Sequence, residues 1–167
     1  MNDFQWFAMQ VLIFVIIIYV LFAHIVGITT MPSADMYPRI DPGDFVLFYR
    51  LDKDVKAQDI IVFEKELPED GGKHVFICRV VACEGDTVEI ADDSRLIING
   101  NTVVEPNIFY LTPRYEGYTS YPLKLGQGEC FVLADSRNGG TDSRFFGPVS
   151  RNEIAGTVIT IVRRNNL

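Results

Sequence analysis

The stretch Phe7–Ile28, FAMQVLIFVIIIYVLFAHIVGI, constrains this chain more than any other. Only Gln10 and His24 interrupt it strongly. A helix of roughly 20 apolar residues spans the hydrocarbon core of a bilayer, so the run is long enough to cross a membrane once. A cleaved signal peptide would need a basic leading segment and a shorter apolar core, and residues 1–6 hold no Lys or Arg. The run therefore predicts an uncleaved anchor. Charge does not orient it. Asp3 is the sole charged side chain before the span and Arg39 the first basic residue after it, which leaves the positive-inside rule nothing to count. His24 reads as an interface residue rather than a proton relay.

With 167 residues, nearly half of them apolar, one domain behind the anchor is the natural count, and it is long enough to bury a core. The net charge of −7 and the lack of any basic run exclude nucleic acid as a partner. The three cysteines, Cys78, Cys83 and Cys130, match no zinc spacing, and neither His24 nor His74 completes one. No metal or cofactor is expected. All three cysteines lie in apolar, strand-like runs and read as buried thiols; one bridge plus a free thiol is the other arrangement the count allows.

Residues 44–50 and 59–66 read as strands joined by a polar connection. Residues 74–83, HVFICRVVAC, are almost continuously apolar, the pattern of a strand buried on both faces. Further strands are expected at 87–90, 129–134 and 154–163, and a hairpin at 95–104 turns on Asn99-Gly100. Pro68–Lys73 reads as a turn, residues 105–128 as a long Tyr-rich surface excursion, and 135–147 as a charged, Gly-rich loop. Short strands with no helical run outside the anchor predict an all-β fold. The domain division is 1–29 for the anchor and its tail, then 30–167 for the β domain, with 92–128 as a smaller cap.

Between anchor and first strand lies MPSADMYPRIDPGD, Met31–Asp44, punctuated by Pro32, Pro38, Pro42 and Gly43. A stiff loop there can hold side chains at fixed positions. Ser33-Ala34-Asp35-Met36-Tyr37-Pro38 with Pro42-Gly43-Asp44 resembles the first motif of type I signal peptidases. Cys78-Arg79-Val80-Val81 with Glu84-Gly85-Asp86 is similar to their second. Asp135-Ser136-Arg137 with Asp142-Ser143-Arg144 and Gly147 is similar to their third. The three follow one another in the family's order behind an anchor.

The resemblance implies a signal-peptidase-like coiled β-sheet domain behind a single transmembrane helix. It also implies placement outside the cytoplasm on the cell membrane and work on the signal peptides of exported proteins. That family attacks with a serine hydroxyl and takes its proton with a lysine amine kept neutral by burial. The position of the serine is Asp35 here, and the position of the lysine is Cys78. A further serine, which supports the lysine, corresponds to Gly140. A carboxylate is a poor acyl nucleophile and opposes a developing oxyanion, and a thiol replaces neither form of the lysine. Ser33 stands where the family's oxyanion-hole hydroxyl stands. Met36, Ile40, Phe76 and Ile77 fall where the family lines its substrate pocket, and Asp142 with Arg144 resembles its structural ion pair.

The first reading is thus a membrane-anchored, catalytically inactive relative, similar to degenerate members among Gram-positive pilus assembly factors. It would bind an exported protein, signal peptide or pilin, or an assembly enzyme such as a sortase. Two alternatives stand beside it. One is an active signal peptidase with a site rearranged around Asp35 and Cys78, or around an Asp35–Asp142 dyad. The other is a membrane-tethered interaction domain whose partner ignores the old groove. Arg39 is a candidate to neutralise Asp35.

Overall fold

The computed structural model describes residues 2–67, 71–106, 108, 110–115 and 119–164. Helix α1 spans Asp3–Val20, and Leu21–Ile25 continue it as a wider π-type turn. Together they form a 23-residue helix of mean hydropathy 2.6, none of it buried against the rest of the chain. Every side of it is apolar, which suits a lipid surround and not an amphipathic surface helix. The helix stops at Ile25, short of the end of the apolar run. Val26–Thr30 is strand β1, antiparallel to β2 (Phe45–Tyr49), with Val26 opposite Tyr49 and Thr30 opposite Phe45. The β-branched residues Val26, Ile28, Thr29 and Thr30 suit a strand, and the open edge of β2 takes them. Residues 26–29, assigned to the anchor from hydropathy, therefore belong to the sheet.

The remaining strands are β3 (Ile60–Glu66), β4 (Lys73–Ala82), β5 (Thr87–Ile90), β6 (Leu96–Ile98), β7 (Asn101–Thr102), β8 (Leu123–Lys124), β9 (Glu129–Leu133), β10 (Val149–Ser150) and β11 (Ile154–Val162). The main sheet has seven strands in the order β1-β2-β11-β3-β4-β9-β10, and a second sheet has four in the order β7-β6-β5-β8. The whole second sheet is an insertion between β4 and β9. Asn99 and Gly100 take φ of 53° and 77° in the tight turn that brings Ile98 opposite Asn101. One helical turn outside the anchor, α2 (Ser143–Phe146), departs from the expected absence of helix. Asp142 caps it by accepting from the Arg144 amide at 3.1 Å. Pro68, Glu69 and Asp70 of the expected turn lie outside the described residues.

Strand alternation divides the core. Phe76, Cys78 and Val80 of β4 join Ile61, Phe63, Cys130, Val132, Val149 and Ile154 on one face. Ile77 points the other way, into Met31, Met36, Ile40, Val46, Phe48 and Val62. Val81 and Ala82 lie against Val88, Ile90, Leu96, Leu125, Phe131 and Leu133, the cluster that joins the two sheets. At β2 the neighbouring strands carry glycines against Phe48. The Phe48 ring lies where side chains of Gly27 and Gly156 would be: an added Cβ would sit 2.1 Å and 2.8 Å from its atoms, and at Gly156 also 2.2 Å from the Tyr49 carbonyl oxygen. Only glycine permits so close an approach.

Candidate functional site

The Met31–Asp44 loop is closed at its base. The Met31 amide donates to the Asp44 carbonyl and the Gly43 amide to the Met31 carbonyl, both at 2.9 Å. Buried Asp44 accepts from the amides of Asp41 and Arg164, which fastens the loop to the chain leaving β11. From this base Met36 and Ile40 turn inward and are fully buried. Ser33 and Asp35 remain half-buried on the side that meets the third motif. There the Ser136 amide donates to the Asp35 carbonyl at 2.8 Å.

The structure brings Asp35, Cys78, Gly140 and Asp142 into one neighbourhood. The Ser33 hydroxyl donates to Asp35 Oδ2 at 2.6 Å, so it is engaged by this carboxylate. Burial pushes the Asp35 carboxyl above its ordinary value, and the Asp142 charge adds to the rise. The Ser33 hydroxyl and a backbone hydrogen bond from Thr141 pull the other way. Arg39 does not take part. It is exposed and lines a surface cavity of about 260 Å³ with Gln58, Asp59 and Arg79.

Cys78 is fully buried on β4, its thiol 3.9 Å from the Thr141 carbonyl oxygen. Burial raises its pKa far above the ordinary thiol value. Asp142, Asp35 and Asp135 raise it further, against a smaller opposing effect of Arg144. A thiolate is therefore suppressed at position 78. Gly140 completes the cluster. A Cβ there would lie 2.3 Å from Ala134 Cβ, 2.8 Å from the Ser136 carbonyl oxygen and 3.6 Å from Asp35 Oδ1. The Ala134 methyl fills the space that a side chain at 140 would need.

Three arginines fix the frame around this cluster. Arg79 forms a buried two-pronged pair with Asp135 at 2.8 and 2.6 Å. Arg144 does the same with Asp142, both contacts 2.8 Å and both side chains fully buried. Its Nη1 also donates to the carbonyls of Arg137 and Pro113, and its guanidinium lies 4.6 Å over the Tyr115 ring. Asp142 therefore has no freedom to share a proton with Asp35 as a dyad requires. Arg137, fully buried, pairs with Glu105 at 2.7 Å and donates to the Thr112 hydroxyl at 2.7 Å. The expected surface excursion over residues 105–128 thus contains buried contacts to Glu105 and Thr112. Their partners are far apart in the chain, and only the burial of Arg137 and Arg144 reveals them.

The four residues assigned to a substrate pocket do not share a surface. Met36, Ile40 and Ile77 are fully buried together on one face of the main sheet, and Phe76 lies on the opposite face beside Phe63 and Phe146.

A family model described as signal peptidase, peptidase S26, matches residues 4–163. The chain belongs to the S26 signal peptidase family. Among its relatives, thylakoidal processing peptidase 1, chloroplastic, of Arabidopsis thaliana is 35% identical over 137 residues, covering 76% of this chain and 39% of the relative. Signal peptidase I of Pseudomonas fluorescens is 29% identical over 166 residues, covering 78% of this chain and 58% of that protein. Signal peptidase I of Bacillus caldolyticus is 32% identical over 139 residues, covering 74% and 71%. The chain thus spans well under two thirds of the length of the first two relatives. The crystal structure of a signal peptidase I from Enterococcus faecalis V583 aligns with 28% identity and a TM-score of 0.44, covering 64% of this chain and 97% of that one.

Proposed function

We propose that this protein is a membrane-anchored member of the signal peptidase I family that has kept the frame and lost the Ser/Lys chemistry. In this reading α1 crosses the bilayer and the β domain stands on its outer side. The domain binds an exported chain, a signal peptide or pilin, or an assembly enzyme such as a sortase, and does not cut it. One observation carries the reading. The nucleophile position holds a carboxylate locked to the Ser33 hydroxyl at 2.6 Å, and the base position holds a fully buried thiol whose main electrostatic neighbours are three aspartates and Arg144. No lysine amine is among them. A hydroxyl without a base is scarcely nucleophilic, and a carboxylate beside the reacting carbonyl opposes the oxyanion.

The test is cleavage of a fluorogenic peptide ending in Ala-X-Ala before the scissile bond, using the full chain in detergent. Wild type is expected to be inactive. Cleavage by wild type that vanishes in Asp35→Ala would overturn the reading and establish a rearranged site. Binding of the same peptide without cleavage, weakened by Ser33→Trp at the cluster, supports the non-catalytic receptor. No binding at all would favour a tethered domain with an unrelated partner.

A further inference from the structure

The insertion of the second sheet leaves two cysteines facing each other at its neck. Ala82 of β4 is opposite Phe131 of β9 in antiparallel register. One residue past the end of β4 and one residue back on β9 are Cys83 and Cys130. Ala82 and Phe131 both face the cluster between the sheets, so the next pair faces the other way. Cys130 belongs to the cluster on the opposite face, and Cys83 packs against that same cluster. Both line one surface cavity of about 90 Å³, with Val55, Glu84, Gly128 and Ile154 among its walls. Each residue is a free thiol in this structure.

Extending the Ala82–Phe131 register by one residue would set Cys83 opposite Cys130, and directly opposed residues of an antiparallel pair have Cα atoms about 4.5–5.5 Å apart. Disulfides span Cα separations of about 4.4–6.8 Å. We propose that Cys83 and Cys130 form a cross-strand disulfide that staples the neck of the second sheet, with Cys78 excluded from it. Cys78 lies in the same apolar cluster, but it is fully buried on β4 beside the Thr141 carbonyl. The chemistry is exchange with a small-molecule disulfide such as oxidised glutathione. The half-exposed Cys83 thiolate attacks one sulfur of the oxidant and releases the first small thiol. Cys130 then gives up its proton and attacks Cys83 Sγ, releasing the second. Two protein thiols become one disulfide and one small disulfide becomes two thiols, so protons and electrons balance.

Burial raises the pKa of both thiols, to about 12 for Cys130, so exchange is slow near neutral pH and faster as pH rises. Once formed, the bond closes a loop containing β5, β6, β7 and β8. A long closed loop removes much chain entropy from the unfolded state, so the insertion would open last instead of first.

The sequence makes the test clean, because trypsin separates the three cysteines. Cys78 falls in HVFICR (74–79), Cys83 in VVACEGDTVEIADDSR (80–95) and Cys130 in LGQGECFVLADSR (125–137). The folded full chain in detergent is incubated with oxidised glutathione at pH 8.5, quenched with an alkylating reagent and mapped without reduction. The expected product is the 80–95/125–137 linked pair, two hydrogens lighter than the sum. HVFICR should be alkylated only after denaturation, and the melting temperature should rise by several degrees, reversed by reductant. In Cys130→Ser the reaction should stop as a glutathione adduct on Cys83. A glutathione adduct on Cys83 of wild type that never resolves would overturn the proposal, and so would a linked pair containing HVFICR.

Discussion

Position 140, where the family resemblance expects a serine, is tightly packed, and that packing can be measured. Gly140→Ser would supply the hydroxyl that the resemblance expects there. It would also place a Cβ 2.3 Å from Ala134 Cβ and 2.8 Å from the Ser136 carbonyl. That carbonyl cannot retreat cheaply, since it accepts the Gly140 amide at 3.1 Å. Forcing one extra carbon into a filled site costs about 1–3 kcal/mol. Ala134→Gly alone costs about 1–2 kcal/mol, from one lost buried methyl and a freer backbone. In the double variant the two changes exchange places across one contact, and the cost should fall below the sum by about 1–2 kcal/mol. Urea unfolding of the full chain in detergent, followed by the β signal in circular dichroism, compares wild type, both singles and the double. If the singles simply add, the Ala134 methyl is not what keeps position 140 bare, and the reasoning fails. The same coupling bears on function. A rebuilt Ser/Lys site made from Asp35→Ser, Cys78→Lys and Gly140→Ser would be overpacked at its orienting hydroxyl. Any gain in peptide cleavage should require Ala134→Gly as a fourth change.

Asp35 gives a pH signature. Its carboxyl titrates above its ordinary value of 3.8, so the folded chain holds this proton more tightly than the unfolded chain. That contribution to stability is fully present below the ordinary value and is lost as pH rises through the raised one. Asp35→Asn should remove the loss, and melting temperatures of the two chains should diverge between acid and neutral pH. The buried pair of Arg137 with Glu105 leaves Arg137 Nε and Glu105 Oε1 without hydrogen bonds. Arg137→Met should therefore cost about 3–5 kcal/mol and expose residues 105–115 to protease, whereas Arg137→Met with Glu105→Leu should recover most of it. Cys78 should resist alkylation in the folded chain at neutral pH on the hour scale; labelling as fast as in urea would contradict its burial.

The apolar runs of β2, β3, β4, β9 and β11 are legible because each is a strand-length run bounded by turn or polar residues. Asn99-Gly100 declares its turn because that geometry needs positive φ twice. The start of β1 is hidden, because Val26–Ile28 is as apolar as the helix before it and hydropathy does not register where backbone hydrogen bonding changes hands. Local pattern is silent on the burial of Arg137, although motif resemblance does point to the Asp142–Arg144 pair. Their loop carries the composition of a solvated turn, and Arg137 meets its partners Glu105 and Thr112 far back in the chain. The candidate site divides in the same way. Motif order brings Asp35, Cys78, Gly140 and Asp142 together in the mind before the fold does so in space. The Ala134 methyl against Gly140, and the separation of Phe76 from Ile77 on opposite faces, follow only from packing.

No loop separates the anchor from the domain. The Ile25 carbonyl, at the end of the helix, already accepts the Arg50 amide at 2.9 Å, and the next residue is in β1. With α1 crossing a bilayer as proposed, helix and strand run on without a linker, and the azimuth of the domain about the membrane normal would follow the phase of the helix. At 3.6 residues per turn, adding or deleting one residue within α1 would swing the Asp35 face by about 100° around the axis. Adding a near-integral turn would return it to its bearing at a new height. A partner embedded in the same bilayer would read that bearing as a key, engaging the domain only when the helix presents it at the right angle.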